Sequence, residues 1–554
     1  MRNIFGFIAL LSVIYNLEFC CAQEKVVNIE NGKIVGEEKE NYYAFLGLPY
    51  AESPTGELRF APPKRFTQTW DDVREFKKFG SMCAQYSQIG YSYHGDEDCL
   101  SLNVFVPKTV LDKDEKVPVI FFVHGGAFMF GGSDAYGPEN IMRSQNMILV
   151  TVNYRLGTLG FMTTEDEVIS GNFGMKDQVE ALKWVQRNIE AFNGDPTKVT
   201  IVGYSAGGAS VHLHYMSPLS EGLFNNGISH SGCALNPWVM MENGKEKAHQ
   251  VAKILNCPID NHQKMLECLR KKPAKDLVIV TKEFQPFLYN PFSPFAVTVE
   301  KHSPTAFLTD QPLKFLMDKK FLNRPWLLSQ TEDEGLYPGA EFYNEKYLKT
   351  INDKWDDLAP HILDYNFSTT NANRKVHVSR KIRKHYLGIH EISKETFNAF
   401  RDMLSDRFFK FDAYNAIQIH ARHAPAYFYY FRYKSLSGLA EFLSNSKENI
   451  GVSHGEDVLL IYEHNLRDIP YSNEELEMGN ELINMYYAFA KDSKAIFGKK
   501  EIEQTKPSKV KCMEIKSSSD YKNIDVTQDF GHSVFWEHIQ EILHTKERTY
   551  YDEL

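Results

Sequence analysis

The sequence has no excess of positive charge, no long apolar run beyond its first residues and no internal repeat. Its 62 Lys and Arg residues are outnumbered by 72 Asp and Glu, so the net charge is −10. No basic field is therefore available to hold nucleic acid or an anionic membrane. After the first residues, no stretch approaches the roughly 20 apolar residues that a membrane-spanning helix needs. No Pro/Gly/Ser-rich linker divides the chain, which predicts one globular domain without a membrane span.

The first residues have the pattern of a secretory signal peptide. Arg2 precedes an apolar run from Ile4 to Leu17, and small residues end at Ala22. This order of basic, apolar and small residues predicts cleavage after residue 22 and a single domain over residues 23–554. The chain ends in Tyr551-Asp552-Glu553-Leu554, which resembles an ER-retrieval tail but has Tyr where Lys or His is usual. Secretion and retention in the ER lumen both stay open, with secretion favoured.

Cysteine is scarce, with eight residues in the chain, two of which lie in the predicted signal peptide. An oxidising compartment would allow the others to form disulfides. The spacing of the cysteines suggests two disulfides that each close a short loop, but sequence alone cannot fix the pairing. For the two cysteines left over, buried free thiols are favoured over a third disulfide. Asn366-Phe367-Ser368 is an N-glycosylation sequon in a polar stretch and predicts a glycan on Asn366. The close pairs are Cys83 with Cys99 and Cys257 with Cys268, and the two cysteines left over are Cys233 and Cys512.

Short apolar segments alternate with helical patterns. Continuous apolar strands separated by helices predict an α/β fold with a mostly parallel central sheet and helices on both faces. Right-handed crossovers then bring the carboxyl ends of the strands, and the ligand site, to one edge. The region from about residue 340 to 430 is helical and is expected to form cap and gorge walls. The predicted strands are Val117–Val123, Met147–Asn153, Lys198–Gly203 and Pro325–Ser329, and the clearest helix is Lys176–Ala191.

The pentapeptide Gly203-Tyr204-Ser205-Ala206-Gly207 follows one of these strands and precedes a helical run. A G-x-S-x-G sequence at a strand–turn–helix junction is typical of a nucleophile elbow, in which the serine hydroxyl is exposed above the sheet edge. The helix that begins there favours a developing negative charge. The G-x-S-x-G pattern alone is weak evidence, because glycine-rich turns are common. Its position between a predicted strand and a predicted helix makes Ser205 the candidate nucleophile.

A second glycine-rich segment follows the strand at 117–123. This segment is His124-Gly125-Gly126-Ala127. In hydrolases with a nucleophile elbow, the loop at this position presents main-chain N–H groups to the oxyanion of the substrate. A simple structural turn is the alternative, but two such elements in the expected order favour a common site. We therefore expect oxyanion donors from Gly126, Ala127 and Ala206.

The sequence resembles a known family, the type-B carboxylesterases and cholinesterases, which have the α/β-hydrolase fold. Within that group it is most similar to insect carboxylesterases such as the insecticide-sequestering esterases of aphids. The resemblance covers nearly the whole chain after the predicted signal peptide. The segments that carry it are LGLPYAESPTGELRF (46–60), EDCLSLNVFVP (97–107), FFVHGGAF (121–128), VNYRLGTLGF (152–161), GNFGMKDQVEALKWVQRNI (171–189), FNGDPTKVTIVGYSAGGASV (192–211) and SHSG (229–232).

The resemblance implies a Ser–His–Glu triad, in which Glu334 of QTEDEG supplies the acid and His454 of GVSHGED supplies the base for Ser205. Neither residue could be chosen from spacing alone, because the chain has 19 His and 72 acidic residues. Asp333 is expected to point elsewhere. The resemblance also implies the disulfides Cys83–Cys99 and Cys257–Cys268 and an Arg59–Glu97 salt bridge. No cofactor and no metal are expected, and the partner is a small-molecule ester.

Two positions bear on the substrate. Cholinesterases carry an acidic residue before the nucleophile and a Trp in the first disulfide loop, whereas this chain has Tyr204 and no Trp there. Tyr204 is also weaker evidence against a juvenile hormone esterase, because those enzymes have Gln at the position before the nucleophile. Trp238 matches a position that narrows the acyl pocket, although plain core packing is an alternative. Broad hydrolysis of xenobiotic esters with organophosphate sequestration is favoured; a hormone or pheromone esterase and a non-catalytic adhesion protein are the alternatives.

Overall fold

A computed structural model describes residues 25–111, 115–144, 146–464, 466–467 and 469–544. The predicted signal peptide and the Tyr551–Leu554 tail lie outside these residues. Within them, the main feature is a 13-stranded sheet with the order β1-β2-β3-β7-β10-β8-β11-β12-β13-β14-β18-β19, and β4 pairs with β2. Its strands are β1 Val26–Ile29, β2 Gly32–Glu38, β3 Tyr42–Pro49, β4 Arg74–Phe76, β7 Ser101–Pro107, β8 Val117–Val123, β10 Ile148–Val152, β11 Gly194–Tyr204, β12 Asn226–His230, β13 Trp326–Thr331, β14 Ala426–Phe431, β18 Lys511–Ile515 and β19 Tyr521–Asp525. Three small pairs stand apart: β5 Gln85–Ser87 with β6 Ser92–His94, β9 Tyr136–Gly137 with β15 Glu463–His464, and β16 Ile496–Phe497 with β17 Lys500–Glu501.

The centre of the sheet is parallel and its margins are antiparallel. Strands β10, β8, β11, β12, β13, β14 and β18 run parallel to their neighbours, whereas β3, β7 and β19 pair antiparallel. Every residue of β8 is buried. Alternate side chains of that strand enter different cores: Phe121 packs in one cluster and Phe122 in the other. A strand covered on both faces must be apolar throughout, which explains its unbroken apolar sequence.

Helices cover both faces of the sheet. The long helix α18 contributes to the same core as Phe122, and α4 contributes to the core of Phe121. Helix α10 follows β13 and packs against α14 and α16. None of the helices in the described part of the chain has the length and apolar character needed to cross a bilayer. The helices are α1 Lys108–Leu111, α2 Glu139–Ser144, α3 Gly157–Phe161, α4 Phe173–Asn188, α5 Ala206–His214, α6 Gly244–Ile254, α7 His262–Arg270, α8 Ala274–Ile279, α9 Pro312–Met317, α10 Leu336–Phe342, α11 Glu345–Asp353, α12 Trp355–Ile362, α13 Ala372–Leu387, α14 Phe397–Ser405, α15 Phe411–His420, α16 Leu439–Ser444, α17 Val458–Ile461, α18 Asn473–Asp492 and α19 Ser533–His544.

The α/β fold class is confirmed, and the differences from the sequence prediction are local. The strand predicted over 117–123 has those bounds, whereas the helix predicted over 176–191 begins earlier, at Phe173. The prediction of a helical region up to residue 430 misses β14, whose sequence AYFYYF lies between β13 and β18 in the sheet. Aromatic residues have a high preference for strands, and the pairing with two neighbours decides the conformation here.

Both disulfides implied by the resemblance are present, Cys83–Cys99 and Cys257–Cys268. Cys233 and Cys512 are free and buried. Arg59 donates to both carboxylate oxygens of Glu97, with Nε–Oε1 at 2.6 Å and Nη2–Oε2 at 2.5 Å. This forked pair ties the first disulfide loop to the preceding turn, close to the ends of the strands that carry the candidate site.

Candidate active site

Ser205 lies at the junction of β11 and α5, at the carboxyl edge of the parallel strands. Its backbone has φ 58° and ψ −118°, a conformation that residues other than glycine rarely adopt. Such a conformation costs about 1–3 kcal/mol and persists only where the surroundings enforce it. The N–H of Ser205 donates to the carbonyl of His230 at 2.8 Å, which holds the bend against β12. The sequence thus places a strained serine at the start of a helix.

The two glycines of the pentapeptide are required by the closeness of the backbone. A Cβ on Gly203 would lie 2.2 Å from the carbonyl group of Gly207, and a Cβ on Gly207 would lie 2.0 Å from the carbonyl oxygen of Val123. These distances are far below van der Waals contact, so no larger residue fits without moving the main chain. The spacing G-x-S-x-G is therefore a packing requirement of the elbow.

Glu334 and His454 are in direct contact. The Nδ1 atom of His454 lies 2.6 Å from Oε2 of Glu334, and both side chains are buried. The other carboxylate oxygen, Oε1, accepts hydrogen bonds from Ser231 Oγ at 2.6 Å and from the N–H of Thr331 at 2.8 Å. Because the carboxylate is an acceptor on both oxygens, the proton belongs to Nδ1 of His454, which leaves the lone pair on Nε2.

That Nε2 atom is buried and has no hydrogen-bond partner among the described residues. A buried acceptor without a donor costs free energy, and such sites are frequent where a substrate or a reacting group will bind. The imidazole is enclosed by the rings of Tyr204 at 4.9 Å, Phe409 at 4.7 Å and Tyr337 at 5.5 Å. Tyr204 is the neighbour of Ser205 in the chain, so the imidazole lies beside the elbow.

Tyr204 itself carries no charge at this site. Its hydroxyl lies 3.4 Å from the carbonyl oxygen of His454, to which it donates. Burial raises the pKa of Tyr204 well above its usual value, so the phenol stays protonated. The residue before the nucleophile therefore offers a ring face and a neutral donor, where a carboxylate would add negative charge.

Asp333 points away from His454 and holds the loop that carries it. Its Oδ2 accepts from the N–H of Val452 at 2.8 Å, and its Oδ1 lies 2.9 Å from Nε of Arg401. The N–H of Asp333 donates to the carbonyl of Val452 at 2.9 Å. The segments of Glu334 and His454 are thus joined by main-chain pairing, which fixes the carboxylate relative to the imidazole.

The segment after β8 forms a turn with an uncommon backbone. Gly126, Ala127 and Phe128 have φ values of 106°, 56° and 60°. The carbonyl of Gly126 accepts from two N–H groups of the turn, and the carbonyl of Ala127 accepts from Ser293 Oγ at 2.9 Å. Within the described chain, the N–H groups of Gly126, Ala127 and Ala206 have no acceptor. A Cβ on Gly125 would lie 3.1 Å from the Cβ of Ser205, so the turn approaches the elbow, and unpaired main-chain donors there are suited to an oxyanion.

His124, at the head of this turn, is structural. Its ring stacks on Tyr154 with centroids 4.4 Å apart, and Nδ1 lies 2.7 Å from the carbonyl oxygen of Gly125. Burial lowers the pKa of His124 to about 4, so the imidazole is neutral at physiological pH. The turn therefore presents donors without a charged side chain of its own.

Trp238 is buried in an aromatic cluster that connects the turn to His454. Its ring lies 6.2 Å from Phe128, 5.9 Å from Phe292 and 6.0 Å from Phe409. Its Nε1 donates to the carbonyl of Phe408 at 3.0 Å, which fixes the ring. Phe128 belongs to the glycine-rich turn and Phe409 contacts the imidazole, so Trp238 forms the wall between them.

Several residues of the site were not predicted. Phe409 lies in a π-helical turn over Asp406–Lys410, and Tyr337 follows the acid by three residues. Ser231 lies in the segment SHSG, which was noted only as part of the resemblance. Its hydrogen bond to Glu334 spans 103 residues of sequence, so no local pattern could reveal the pairing.

The predicted sequon lies between α12 and α13, on the surface. Asn366 is half-buried, and its Oδ1 accepts from Lys375 Nζ at 2.9 Å. The neighbouring Phe367 is 37% exposed. The site is therefore accessible, although a glycan on Asn366 stays a prediction.

Comparison with known proteins gives one family. The sequence profile of the carboxylesterase family matches residues 23–531. Venom carboxylesterase-6 of Apis mellifera is 38% identical over 477 residues, which cover 84% of this chain and 85% of that protein. Esterase E4 of Myzus persicae is 36% identical over 505 residues, which cover 89% and 91%. The carboxylic ester hydrolase of Bombus ignitus is 37% identical over 513 residues, 91% of each chain.

A solved structure supports the fold. The crystal structure of juvenile hormone esterase from Manduca sexta, with OTFP covalently attached, superposes with a TM-score of 0.81 over 93% of this chain and 99% of that one. Its sequence identity of 24% makes this a likeness of fold alone. The profile match and the relatives above 35% identity are what establish the relationship. The chain belongs to the carboxylesterase family and is a serine carboxylesterase.

Proposed function

We propose that this enzyme hydrolyses small carboxylic esters through an acyl intermediate on Ser205. In the first half-reaction, Ser205 Oγ attacks the ester carbonyl carbon while His454 Nε2 takes the hydroxyl proton. The negative charge that forms on the carbonyl oxygen is stabilised by the N–H groups of Gly126, Ala127 and Ala206. When the tetrahedral intermediate collapses, the imidazolium returns the proton to the departing alkoxide, and the alcohol leaves.

The second half-reaction repeats these steps with water. His454 Nε2 takes a proton from water, the hydroxide adds to the acyl carbon, and the same N–H groups stabilise the new oxyanion. The C–O bond to Ser205 then breaks, the proton returns to Oγ, and the carboxylic acid is released. Throughout, Glu334 keeps the proton of the imidazole on Nδ1 and stabilises the imidazolium.

The observation that carries this proposal is the state of the His454 imidazole. Its Nδ1 is held by Glu334 at 2.6 Å, while its Nε2 is buried without a partner among the described residues. Buried His212 and His420 also have ring nitrogens without a partner in the described part of the chain. His454 differs from them in its carboxylate on Nδ1 and in its contact with Tyr204, the neighbour of Ser205. One free nitrogen beside a strained serine supports the role of general base.

A panel of naphthyl and nitrophenyl esters of increasing acyl length, measured on the purified protein, tests this proposal. We expect hydrolysis of the short esters, with a pre-steady-state burst of alcohol wherever deacylation is slower than acylation. Absence of turnover on the whole panel by a folded sample would contradict ester hydrolysis of this kind. The enclosed aromatic cluster favours short acyl groups over long ones.

Trp238→Leu is the variant that tests the acyl pocket. A smaller side chain would open space beside Phe128, and one methylene of fit is worth about 10- to 200-fold in specificity. We expect the kcat/KM ratio of hexanoate to acetate esters to rise at least about tenfold. Trp355→Leu, in α12, is the control, because its indole packs near Phe400 and not against Phe128. An unchanged ratio in a folded Trp238→Leu enzyme would restrict Trp238 to core packing.

Capture of organophosphates and carbamates uses the same serine. A phosphoryl or carbamoyl group transferred to Ser205 would need water to remove it, so an enzyme with slow water attack acts as a scavenger. The resemblance of the sequence to insecticide-sequestering esterases of aphids is the reason for including this role in the proposal. Stoichiometric burst followed by slow reactivation supports sequestration, whereas rapid steady-state turnover supports hydrolysis alone.

Secretion is the localisation that we propose. Two disulfides indicate an oxidising compartment, and the relative from Apis mellifera is a venom carboxylesterase by name. Expression of the full chain in insect cells should release it into the medium with a glycan on Asn366, seen as a loss of mass after glycosidase treatment. If the protein instead stayed in the cell lysate, and deletion of Tyr551–Leu554 released it into the medium, the tail would be an ER-retrieval signal.

A further inference from the structure

A second histidine–carboxylate pair lies next to the proposed triad. His230 is the last residue of β12, and Asp457 follows His454 by three residues. Both are completely buried, and His230 Nδ1 lies 2.9 Å from Asp457 Oδ2. Neither residue belongs to the triad, and neither was among the predicted site residues. Each is nevertheless attached to a different part of the catalytic machinery.

Asp457 is a buried carboxylate that accepts hydrogen bonds on both of its oxygens. Its Oδ2 also accepts from Tyr429 OH at 2.7 Å and Ser329 Oγ at 2.9 Å, and its Oδ1 accepts from the N–H of Val458 at 3.0 Å. Burial raises the pKa of Asp457, but His230 and the hydroxyl groups outweigh burial and lower the pKa below its usual value. The side chain is therefore a charged, fully hydrogen-bonded anchor, and three strands converge on it.

His230 connects this anchor to the nucleophile. Its carbonyl oxygen accepts the N–H of Ser205 at 2.8 Å, and its side chain contacts Asp457. The Nε2 atom lies 2.5 Å from Tyr486 OH, on α18. Nδ1 donates to Asp457, and Nε2 shares a second hydrogen bond with the tyrosine hydroxyl, so both ring nitrogens are held. One residue thus binds the elbow through its main chain and the loop of His454 through its ring.

We propose that Asp457 and His230 are positioning residues, which set the loop of His454 at a fixed distance from Ser205. This inference rests on the proposed function. The pair touches no reacting atom; it acts through the two residues between His454 and Asp457 and through the hydrogen bond from Ser205 to His230. Because a misplacement of 1 Å can cost about 10²-fold in rate, a loosened anchor should reduce catalysis far more than binding.

Asp457→Asn is the principal variant, assayed as the full-length enzyme with naphthyl acetate. An amide in place of the carboxylate removes the charge and leaves one acceptor oxygen, so its NH₂ group must face either the N–H of Val458 or the donors around Oδ2. We expect kcat to fall about 30- to 300-fold while KM changes less than about threefold. His230→Asn keeps an N–H near the position of Nδ1 and should stay within about fivefold of the wild type, whereas His230→Ala should resemble Asp457→Asn.

Glu300→Gln is the matched control, because Glu300 is another buried carboxylate with several donors, none of which belongs to the triad or to the His230–Asp457 pair. It accepts from Lys176 Nζ at 2.5 Å, from Asn172 Nδ2 at 2.8 Å and from the N–H of Phe307 at 2.8 Å. We expect this change to lower the melting temperature about as much as Asp457→Asn does while leaving kcat within about twofold. If Asp457→Asn does not fold, Tyr429→Phe removes one hydrogen bond and should lower kcat about tenfold at unchanged KM.

The outcomes are decisive in either direction. Loss of kcat in Asp457→Asn, rescue in His230→Asn and a silent Glu300→Gln would support the positioning role. Folded Asp457→Asn or Tyr429→Phe with wild-type kcat would overturn it, as would an equal loss in His230→Asn and His230→Ala. Failure of the proposed function is separate, because it would appear as full hydrolysis by Ser205→Ala.

Discussion

Replacement of Ser205 by alanine is expected to reduce kcat for short aryl esters by about 10⁶-fold, because the change removes the atom that forms the acyl bond. The residual rate should still exceed the rate in water by about 10³-fold, since the oxyanion donors and the substrate pocket remain. Steady-state kinetics with naphthyl acetate, on protein freed of contaminating esterases, measure the effect. The pre-steady-state burst should disappear together with kcat.

Stability provides the control for this variant. Alanine at residue 205 removes a hydroxyl group only, and the buried side chain is 5% exposed. We therefore expect a melting temperature within about 2 °C of the wild type, which corresponds to a change well under 1 kcal/mol. A folded Ser205→Ala enzyme that retains its kcat would contradict the assignment of the nucleophile.

Glu334→Gln is expected to reduce kcat about 10⁴-fold, because the amide no longer fixes the proton of His454 on Nδ1. Glutamine fills the same volume and can still bond to Ser231 or Thr331, so the fold should persist. Its NH₂ group would face His454 and favour the wrong tautomer, in which Nε2 carries the proton and cannot act as the base. The change should therefore appear in kcat with a small effect on KM.

The adjacent acid is the comparison that makes this result specific. Asp333 contacts Arg401 and the N–H of Val452, and it does not contact His454. Asp333→Asn keeps the main-chain hydrogen bond to Val452 and an amide oxygen for the N–H of Val452, so it should lower stability but cost less than about tenfold in kcat. If the two variants lost activity equally, the acid of the triad could not be assigned to Glu334 by geometry.

Much of the fold follows from sequence periodicity. The run VPVIFFV predicts a buried central strand because a strand covered on both faces needs an apolar residue at every position, and β8 has those bounds. The prediction misses β14, although its aromatic residues favour a strand, because it extends the helical pattern of the surrounding segments over them. Where pairing with two neighbouring strands decides the conformation, a local pattern is not sufficient.

The site was predicted unequally. Ser205 has a local signal, because the close approach of Gly203 and Gly207 to the backbone enforces the G-x-S-x-G spelling. Glu334 and His454 were placed by resemblance, since a single histidine among 19 has no distinguishing neighbours in sequence. His230 and Asp457 lie in the segments SHSG and GVSHGED, but nothing in either segment pairs them, because they lie 227 residues apart. Contacts of that kind depend on how the strands are ordered in the sheet.

Tandem mass spectrometry after reaction with a fluorophosphonate tests the central claim most directly. The probe reacts only with a serine that an adjacent base activates, so one equivalent should add to the peptide that contains Ser205. His454→Ala, with the same serine but no base, should not be labelled on that time scale. Labelling of another serine, or equal labelling of the wild type and His454→Ala, would contradict the proposed pairing of these two residues.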